Sequence, residues 1–487
     1  MSSSLEEQLF WAAFYGAIEE VKSLCRDPAI NINRQYEGGF TPLYAASQEG
    51  QIEVVKFLLS LEEIDPNLPN GNGATPFYVS CQQGRNEVAS HLLADPRVDP
   101  NLPWKDGATP FFIACERGHT EMISQLLADP RIDPGRPMYA GATPFFIACQ
   151  NGYKEVVSLL LADPRIDPSK PQKDGATPFF IACQNSQKEA VPLLLTDPRI
   201  DPNLPPDDGA TPFFIACQNG HKEVVAQILA EPRIDPTSAR DTGATPFSIA
   251  CQNGHEEVVS LLLTDPRIDP NKPKNDEATP FFTSCQNGHK EVVSLLLADP
   301  RIDPNKPLTD QGTPLWYASQ NGHLVVVQHL LTSGREIDTK RRSTYNNNTA
   351  AEQGRAMGAR TTKEAAETEE VFERMKTYGP LSADLIDEYE RDVMVVRHRL
   401  RRQPGLREYF IGHLFALVVF YADSFAVIND RTARSDTKRF FGITSQLPLD
   451  LQMVLCNRIF GSPRDIILSS DSEPGFQQLT RTTTWQQ

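Results

Sequence analysis

Thiol and imidazole side chains, which bind zinc and take part in redox and acid–base chemistry, recur along this chain at a spacing of 34 residues or its multiples. The cysteines of this series are Cys81, Cys115, Cys149, Cys183, Cys217, Cys251 and Cys285. The histidines are His119, His221, His255, His289 and His323. Columns of such residues raise the question of a metal or redox site.

The repeat spacing argues against that chemistry. Equivalent atoms in stacked helical units are expected about 10 Å apart, whereas a disulfide requires Cα atoms within about 7 Å and zinc binds sulfur at about 2.3 Å. Cysteine is a small residue that is often buried, and each of these histidines directly follows a turn glycine. We therefore expect the cysteines to pack in a core and the histidines to make structural hydrogen bonds.

The acidic loops also lack the pattern of a metal site. Their carboxylates are four residues apart, as at Asp265 and Asp269, and a proline follows each of them. A calcium loop instead places oxygen ligands at every second residue and uses glycine at the bend. Arg267 lies between the two acids, and surface ion pairs of this kind contribute only about 0–1 kcal/mol. We interpret these segments as solvated loops.

A unique combination of nucleophile, base and orienting acid is missing from the sequence, because every candidate residue is repeated. The sequence therefore predicts a protein that is not an enzyme and that has no metal site and no cofactor.

The elements that carry these residues follow from a Thr-Pro pair with the same spacing. The pair begins at Thr41, Thr75, Thr109, Thr143, Thr177, Thr211, Thr245, Thr279 and Thr313. Thr211 is a typical cap for a helix that begins at Pro212 and ends at Gly220. Apolar residues at helical spacing predict a second helix over residues 221–230. The turn-rich connection to the next unit should form an extended loop with a hairpin-like tip.

These features resemble the ankyrin repeat. The best local matches read TPLYAASQEGQIEVVKFLL at Thr41–Leu59 and TPLWYASQNGHLVVVQHLL at Thr313–Leu331. Two differences from the family pattern are a period one residue longer and Phe-Phe in place of Leu-His in most repeats. The resemblance implies an all-α solenoid of helix-turn-helix repeats that binds a protein partner. It also implies that the tips and first helices line a concave binding face.

The array extends beyond the Thr-Pro pairs at its N-terminal end, because the same offset aligns Leu9 with Leu43 and Val21 with Val55. The predicted domains are a capping repeat (1–38), nine ankyrin-like repeats (39–340), a degenerate closing repeat or linker helix (341–376) and a helical C-terminal domain of unknown family (377–487).

The charge of the array is strongly acidic. Residues 1–340 contain 27 Lys and Arg residues against 44 Asp and Glu residues. Such a surface repels nucleic acid and attracts basic protein segments, although the acidity could equally serve only to keep the protein soluble. The first residues, which include Glu6 and Glu7, do not have the pattern of a secretory signal. We expect a cytoplasmic protein, with a nuclear location left open.

The loop tips are where the repeats differ most, so they are the positions at which a partner could be distinguished. The candidate partner-binding residues are Trp104, Lys105, Met138, Tyr139, Lys173, Asp207, Arg240 and Lys274. Exposed aromatic and methionine side chains are favoured anchors, and we expect Trp104, Met138 and Tyr139 to play that part. The alternative is that the tips vary because loops tolerate change.

One repeat departs from the pattern in its second half. Asn185-Ser186-Gln187 replaces Asn-Gly-His, and Pro192 falls within the predicted second helix. A proline in the middle of a helix costs about 3 kcal/mol. We expect a locally weakened or bent segment.

The C-terminal region leaves two alternatives to a plain scaffold. Tyr409–Ile428 is apolar, but Gly412, His413 and Asp423 interrupt it, which favours a buried helix over a membrane span. The segment Leu447–Phe460 weakly resembles the start of an F-box. Its matching residues include Leu447, Pro448, Asp450 and Leu455. The alternatives to a scaffold are therefore an adaptor that docks to ubiquitin-ligase machinery through these residues and a membrane-tethered scaffold.

Overall fold

The computed structural model describes residues 4–359 and divides the chain into two compact units, Met1–Pro236 and Thr237–Gln487. The described residues form 21 α-helices and one short 3₁₀ turn at Glu37–Gly39, and they contain no β-strand. The predicted all-α class is therefore confirmed.

In the first unit, helices alternate between a first and a second position of each repeat. They are α1 (Leu5–Tyr15), α2 (Ile18–Leu24), α3 (Pro42–Glu49), α4 (Ile52–Leu59), α5 (Pro76–Gln82), α6 (Asn86–Ala94), α7 (Pro110–Arg117), α8 (Thr120–Leu127), α9 (Pro144–Asn151), α10 (Lys154–Ala162), α11 (Pro178–Gln184), α12 (Ala190–Thr196), α13 (Pro212–Gln218) and α14 (Lys222–Leu229). First helices pack on neighbouring first helices, and second helices pack on neighbouring second helices.

The second unit continues the same alternation. Its described helices are α15 (Pro246–Asn253), α16 (Glu256–Leu263), α17 (Pro280–Asn287), α18 (Lys290–Ala298), α19 (Pro314–Gln320), α20 (Leu324–Thr332) and α21 (Ala350–Ala359). α21 packs on α19, as a first helix does. Thr349 caps it, since its hydroxyl accepts a hydrogen bond from Glu352 N at 3.3 Å while the Glu352 carboxylate accepts one from Thr349 N at 2.9 Å.

The Thr-Pro pairs begin the first helices as the sequence predicts. Thr211 Oγ1 accepts a hydrogen bond from Phe214 N at 3.1 Å, and Pro212 occupies the first helical position, where a missing N–H costs nothing. Gly220 follows the helix with φ of 74°, a conformation that glycine adopts without strain. Local sequence therefore determines where each first helix starts and stops.

Apolar side chains from both helices of a repeat form a continuous core within each unit. Phe145 on α9 is 1% exposed, and Val156, Val157 and Leu160 on α10 are completely buried. Cys149, which is also fully buried, lies at the end of α9. The same positions are filled in the neighbouring repeats, so each repeat covers the apolar face of the next.

Pro192 lies inside the second helix α12, as predicted, but in its first turn rather than in its middle. α12 begins at Ala190, two residues later than α14 begins at Lys222 in the next repeat. Val191 N donates to Gln187 O, four residues earlier, at 3.0 Å, and Pro192, which has no N–H, cannot make the next bond of that series. Ser186 is also strained, as a non-glycine residue with φ of 59° at the position of the turn glycine. The expected weakening of this repeat stays a prediction.

The predictions for the C-terminal region fall on residues outside the described part of the chain. They concern the helical domain at 377–487, the apolar segment 409–428 and the F-box-like segment 447–460. Among residues 4–359, no helix combines the length and the apolar character needed to cross a bilayer.

Candidate protein-binding site

Each loop tip is a four-residue turn that is closed by backbone hydrogen bonds. At Trp104–Gly107, Trp104 N donates to Ala108 O and Gly107 N donates to Trp104 O, both at 2.8 Å. Gly107 closes the turn with φ of 90°, and the Asp106 carboxylate accepts from Ala108 N at 2.9 Å. The tips thus have the hydrogen bonding of a hairpin end without flanking strands.

Backbone hydrogen bonds join certain neighbouring tips in pairs. In the first unit, Tyr139 N donates to Asp106 O at 2.9 Å and Asp207 N donates to Asp174 O at 3.0 Å. In the second unit, Asn275 N donates to Thr242 O at 3.0 Å. We call the series of tips within each unit the tip row; its turns are closed by their own hydrogen bonds, and paired turns also support each other.

The aromatic candidates differ in how far they are available to a partner. Tyr139 is 66% exposed. Trp104 is half-buried rather than exposed, because its ring stacks on the ring of Tyr78 with centroids 6.3 Å apart. Lys105 Nζ lies over the Trp104 ring, 4.9 Å from its centroid. The expectation that Trp104 is a freely exposed anchor is therefore wrong, whereas Tyr139 has the exposure expected of one.

The remaining candidates of the first unit lie on the same tip row. Met138 is half-buried, and Lys173 and Asp207 are exposed. Together with Trp104, Lys105 and Tyr139 they occupy four turns of the row, at residues 104–107, 138–141, 172–175 and 206–209.

The candidates of the second unit are more involved in the structure than the sequence indicates. Arg240 is half-buried at the first position of its turn. Lys274 is also half-buried, donates to Gln252 Oε1 at 3.3 Å and pairs with Asp276 at 3.7 Å. Its ammonium group therefore links the tip to the end of the first helix α15.

The charges on the tips are predominantly negative. Four basic residues lie in the turns between residues 104 and 311, namely Lys105, Lys173, Arg240 and Lys274. Eight acidic residues lie in the same turns, namely Asp106, Asp174, Asp207, Asp208, Asp241, Asp276, Glu277 and Asp310. The tip row therefore shares the acidic balance of the whole array.

The loop arginines do more than pair with the neighbouring acids. Arg165 Nη2 pairs with Asp163 at 2.7 Å, and this hydrogen-bonded pair lowers the pKa of the Asp163 carboxyl. The same guanidinium also donates to Leu127 O at 2.8 Å and to Ile132 O at 3.2 Å in the preceding repeat. It therefore satisfies one carbonyl at the end of α8 and one in the loop that follows, and it links two repeats. Similar bonds join repeats at Arg97, Arg131, Arg199, Arg233 and Arg301.

A series of asparagines, which the sequence analysis did not single out, forms a second link between repeats. Asn101 Nδ2 donates to Arg131 O at 2.6 Å, and its Oδ1 accepts from Asp133 N at 3.0 Å. The carboxamide thus bridges two backbone groups of the next loop. The same pair of bonds is made by Asn33, Asn67, Asn203 and Asn305. We call this series the asparagine ladder.

The histidines make the structural hydrogen bonds that were predicted. His221 Nε2 donates to Gln184 O at 2.9 Å, which caps the end of the first helix in the preceding repeat. Gln187, which replaces histidine in its repeat, donates to Gln150 O at 2.6 Å. The bond recurs at His119, His289 and His323.

The cysteine column lies in the core, as expected from packing. Burial raises the pKa of the Cys149 thiol well above its ordinary value, and the group is 0% exposed. Within residues 4–359, no three His, Cys, Asp or Glu side chains are grouped closely enough to hold a metal ion.

Comparison with known proteins identifies the repeats. The family model described as ankyrin repeats (3 copies) matches residues 9–103, 92–172, 111–206, 160–239, 179–274 and 247–341. A search of the curated proteins found no match to this chain. Ankyrin repeats are generally protein–protein interaction modules, and the family is typically non-enzymatic. Because the matches span most of residues 9–341, which is more than half of the sequence, this chain belongs to the ankyrin-repeat family.

Proposed function

We propose that this protein is a non-catalytic scaffold that binds a protein partner through the tip row and the adjoining ends of the first helices. The observation that carries the proposal is the contrast between the fixed backbone of the tips and their varied side chains. Tip backbones are joined by hydrogen bonds such as Tyr139 N to Asp106 O at 2.9 Å, whereas the side chains at the same positions differ from repeat to repeat. A prearranged surface lowers the entropy cost of binding.

The most favourable anchor in this surface is Tyr139. Its side chain is 66% exposed beside the half-buried Trp104, over which Lys105 lies. Tyrosine and tryptophan are enriched among the residues that dominate binding energy, because a rigid ring buries a large area at little entropy cost. The turns at 104–107 and 138–141 therefore supply the centre of the proposed interface.

The charge of the tips favours a partner with basic segments. Acidic groups outnumber basic ones by eight to four in these turns, which speeds encounter with a positively charged surface and disfavours nucleic acid. We assign no role to the membrane, and we place the protein in the cytoplasm or nucleus, which cell fractionation tests.

The experiment that tests the proposal compares two photo-crosslinking positions in the full chain. A photoreactive residue replaces Lys173, which is exposed on the tip row, or Lys154, which is exposed at the start of the second helix α10. We expect the variant at position 173, in cell extract, to crosslink to a partner that the variant at position 154 does not capture. A partner captured only from position 154 would contradict the proposal.

A further inference from the structure

The asparagine ladder is interrupted at Gly135. This residue occupies the position that corresponds to Asn101 in the preceding repeat and to Ser169 in the following one. Ser169 keeps one of the two bonds, since its hydroxyl donates to Arg199 O at 2.7 Å. Gly135 has no side chain, so it cannot supply either bond.

A cavity of about 70 Å³ lies at this interruption. A cavity needs about 10–15 Å³ to hold one water molecule, so this one admits a group of several non-hydrogen atoms. Its lining includes the buried residues Pro134, Phe145 and Ile166 and the exposed residues Arg165, Asp167 and Lys170. The floor is therefore apolar, and the rim is open to solvent.

The backbone polar groups at the cavity correspond to those that form hydrogen bonds with an asparagine carboxamide in other repeats. In the repeat of Asn101, the acceptor is Arg131 O and the donor is Asp133 N. The corresponding groups at the interruption are Arg165 O and Asp167 N. Arg165 O lies 3.7 Å from the point where a Cβ on Gly135 would stand. A carbonyl acceptor thus lies near the position that an asparagine side chain fills in other repeats, and the repeat correspondence assigns the Asp167 amide as the matching donor.

We propose that this cavity, which we call the Gly135 pocket, binds a primary carboxamide, namely the side chain of an asparagine or glutamine on the protein partner. Gly135 lies three residues before Met138 and four before Tyr139 in the same loop, so a segment bound on the tip row could reach the pocket. The claim that the carboxamide comes from a protein partner rests on the proposed function. The claim that the pocket binds a carboxamide rests on the asparagine ladder alone.

The required geometry favours a primary carboxamide over a peptide group, a carboxylate and an ammonium group. Its –NH₂ and C=O lie on the same edge, so it can donate to Arg165 O and accept from Asp167 N together. A single trans peptide group points its N–H and C=O to opposite sides and cannot make both bonds. A carboxylate has no donor for Arg165 O, and an ammonium group has no acceptor for Asp167 N.

The test uses acetamide as the probe and full-length protein labelled for NMR. We expect acetamide to move the Asp167 amide resonance in a saturable way, and N-methylacetamide to leave it within the non-saturable drift that any cosolvent causes. In Gly135→Asn, whose own side chain fills the pocket, the saturable shift should be lost. In Asn101→Gly, a second pocket should form, and the Asp133 amide should acquire a saturable response to acetamide.

Several outcomes would overturn the inference. They are a saturable shift that persists in Gly135→Asn, an equal response to N-methylacetamide, or no saturable shift at Asp167 in the unmodified protein. None of these measurements involves a partner, so their failure is distinct from failure of the proposed function. Once a partner segment has been identified by crosslinking, replacing its asparagine or glutamine by alanine should weaken binding to the unmodified protein and not to Gly135→Asn.

Discussion

Restoring the missing asparagine at position 135 should stabilise the repeat around it. Gly135→Asn places a carboxamide where Arg165 O can accept a hydrogen bond and Asp167 N can donate one. The corresponding bonds of Asn101, to Arg131 O and from Asp133 N, are 2.6 and 3.0 Å long. Gly135 does not have a left-handed φ, and Arg165 O, among the atoms nearest to a Cβ built there, is 3.7 Å away, an ordinary contact distance. An asparagine should therefore fit without strain.

The expected gain can be divided between two causes. Replacing glycine by any residue that tolerates the same backbone reduces the entropy of the unfolded chain and contributes about 0.4–1 kcal/mol. The two hydrogen bonds add about 1 kcal/mol each in net terms, from which ordering the side chain subtracts up to about 1 kcal/mol. We therefore expect Gly135→Asn to stabilise the segment by about 1–3 kcal/mol and Gly135→Ala by less than about 1 kcal/mol.

Native-state hydrogen exchange is the suitable assay, because repeat arrays do not always unfold in one step. A difference of about 1 kcal/mol corresponds to a factor of about five in the opening equilibrium. Amides of the 163–169 loop should therefore exchange about five times more slowly in Gly135→Asn than in Gly135→Ala. Equal exchange in the two variants would refute the claim that the carboxamide makes the two bonds.

Three further predictions concern strain, charge and burial. Ser186→Gly should stabilise its repeat by about 1 kcal/mol, because Ser186 has φ of 59°, and an unchanged unfolding midpoint would contradict this. The pKa of Asp163 is lowered by its bond to Arg165, so the stabilisation from the pair is present above about pH 4 and is lost as the pH falls through the lowered value. Asp163→Asn should remove this part of the acid sensitivity measured in an unfolding titration. Cys149, which is 0% exposed with a raised pKa, should react with a thiol reagent only after unfolding, whereas the half-exposed Cys25 should react first; mass spectrometry of the labelled sites would show the order.

The features that the sequence predicts well are those that depend on local chemistry. Thr211 and Pro212 begin a helix, and Gly220 ends it, because capping and left-handed backbone are properties of single residues. The hydrogen bond from His221 also follows from its place after the turn. Because the repeats share this pattern, the helix boundaries predicted for one repeat apply to the others.

The features that were missed depend on backbone acceptors in another repeat. Arg165 looks like the local partner of Asp163, and only the packed structure shows its bonds to Leu127 O and Ile132 O. Asn101 resembles an ordinary turn residue for the same reason. Carbonyl groups are present at every position, so no residue type marks the ones that will be used.

Two features differ from what the sequence predicts, because the prediction assumed a fixed helix register or a free surface. The start of α12 at Ala190 moves Pro192 into the first turn, an adjustment that a repeat alignment does not reveal. Trp104 is half-buried because it stacks on Tyr78, which lies 26 residues earlier on the first helix α5. The partner-binding role of the tip residues stays a prediction.

The central claim, that the tip row is the binding surface, is tested most directly by two tyrosine variants of the full chain. Tyr139 is 66% exposed on the tip row, and Tyr153 is 36% exposed next to the second helix α10. The affinity of each variant for the crosslinked partner would be measured with purified proteins. We predict that Tyr139→Ala weakens binding at least about tenfold, as expected of a dominant anchor, and that Tyr153→Ala changes it less than about twofold. The opposite result, in which Tyr139→Ala leaves the affinity unchanged and Tyr153→Ala weakens it, would contradict the account.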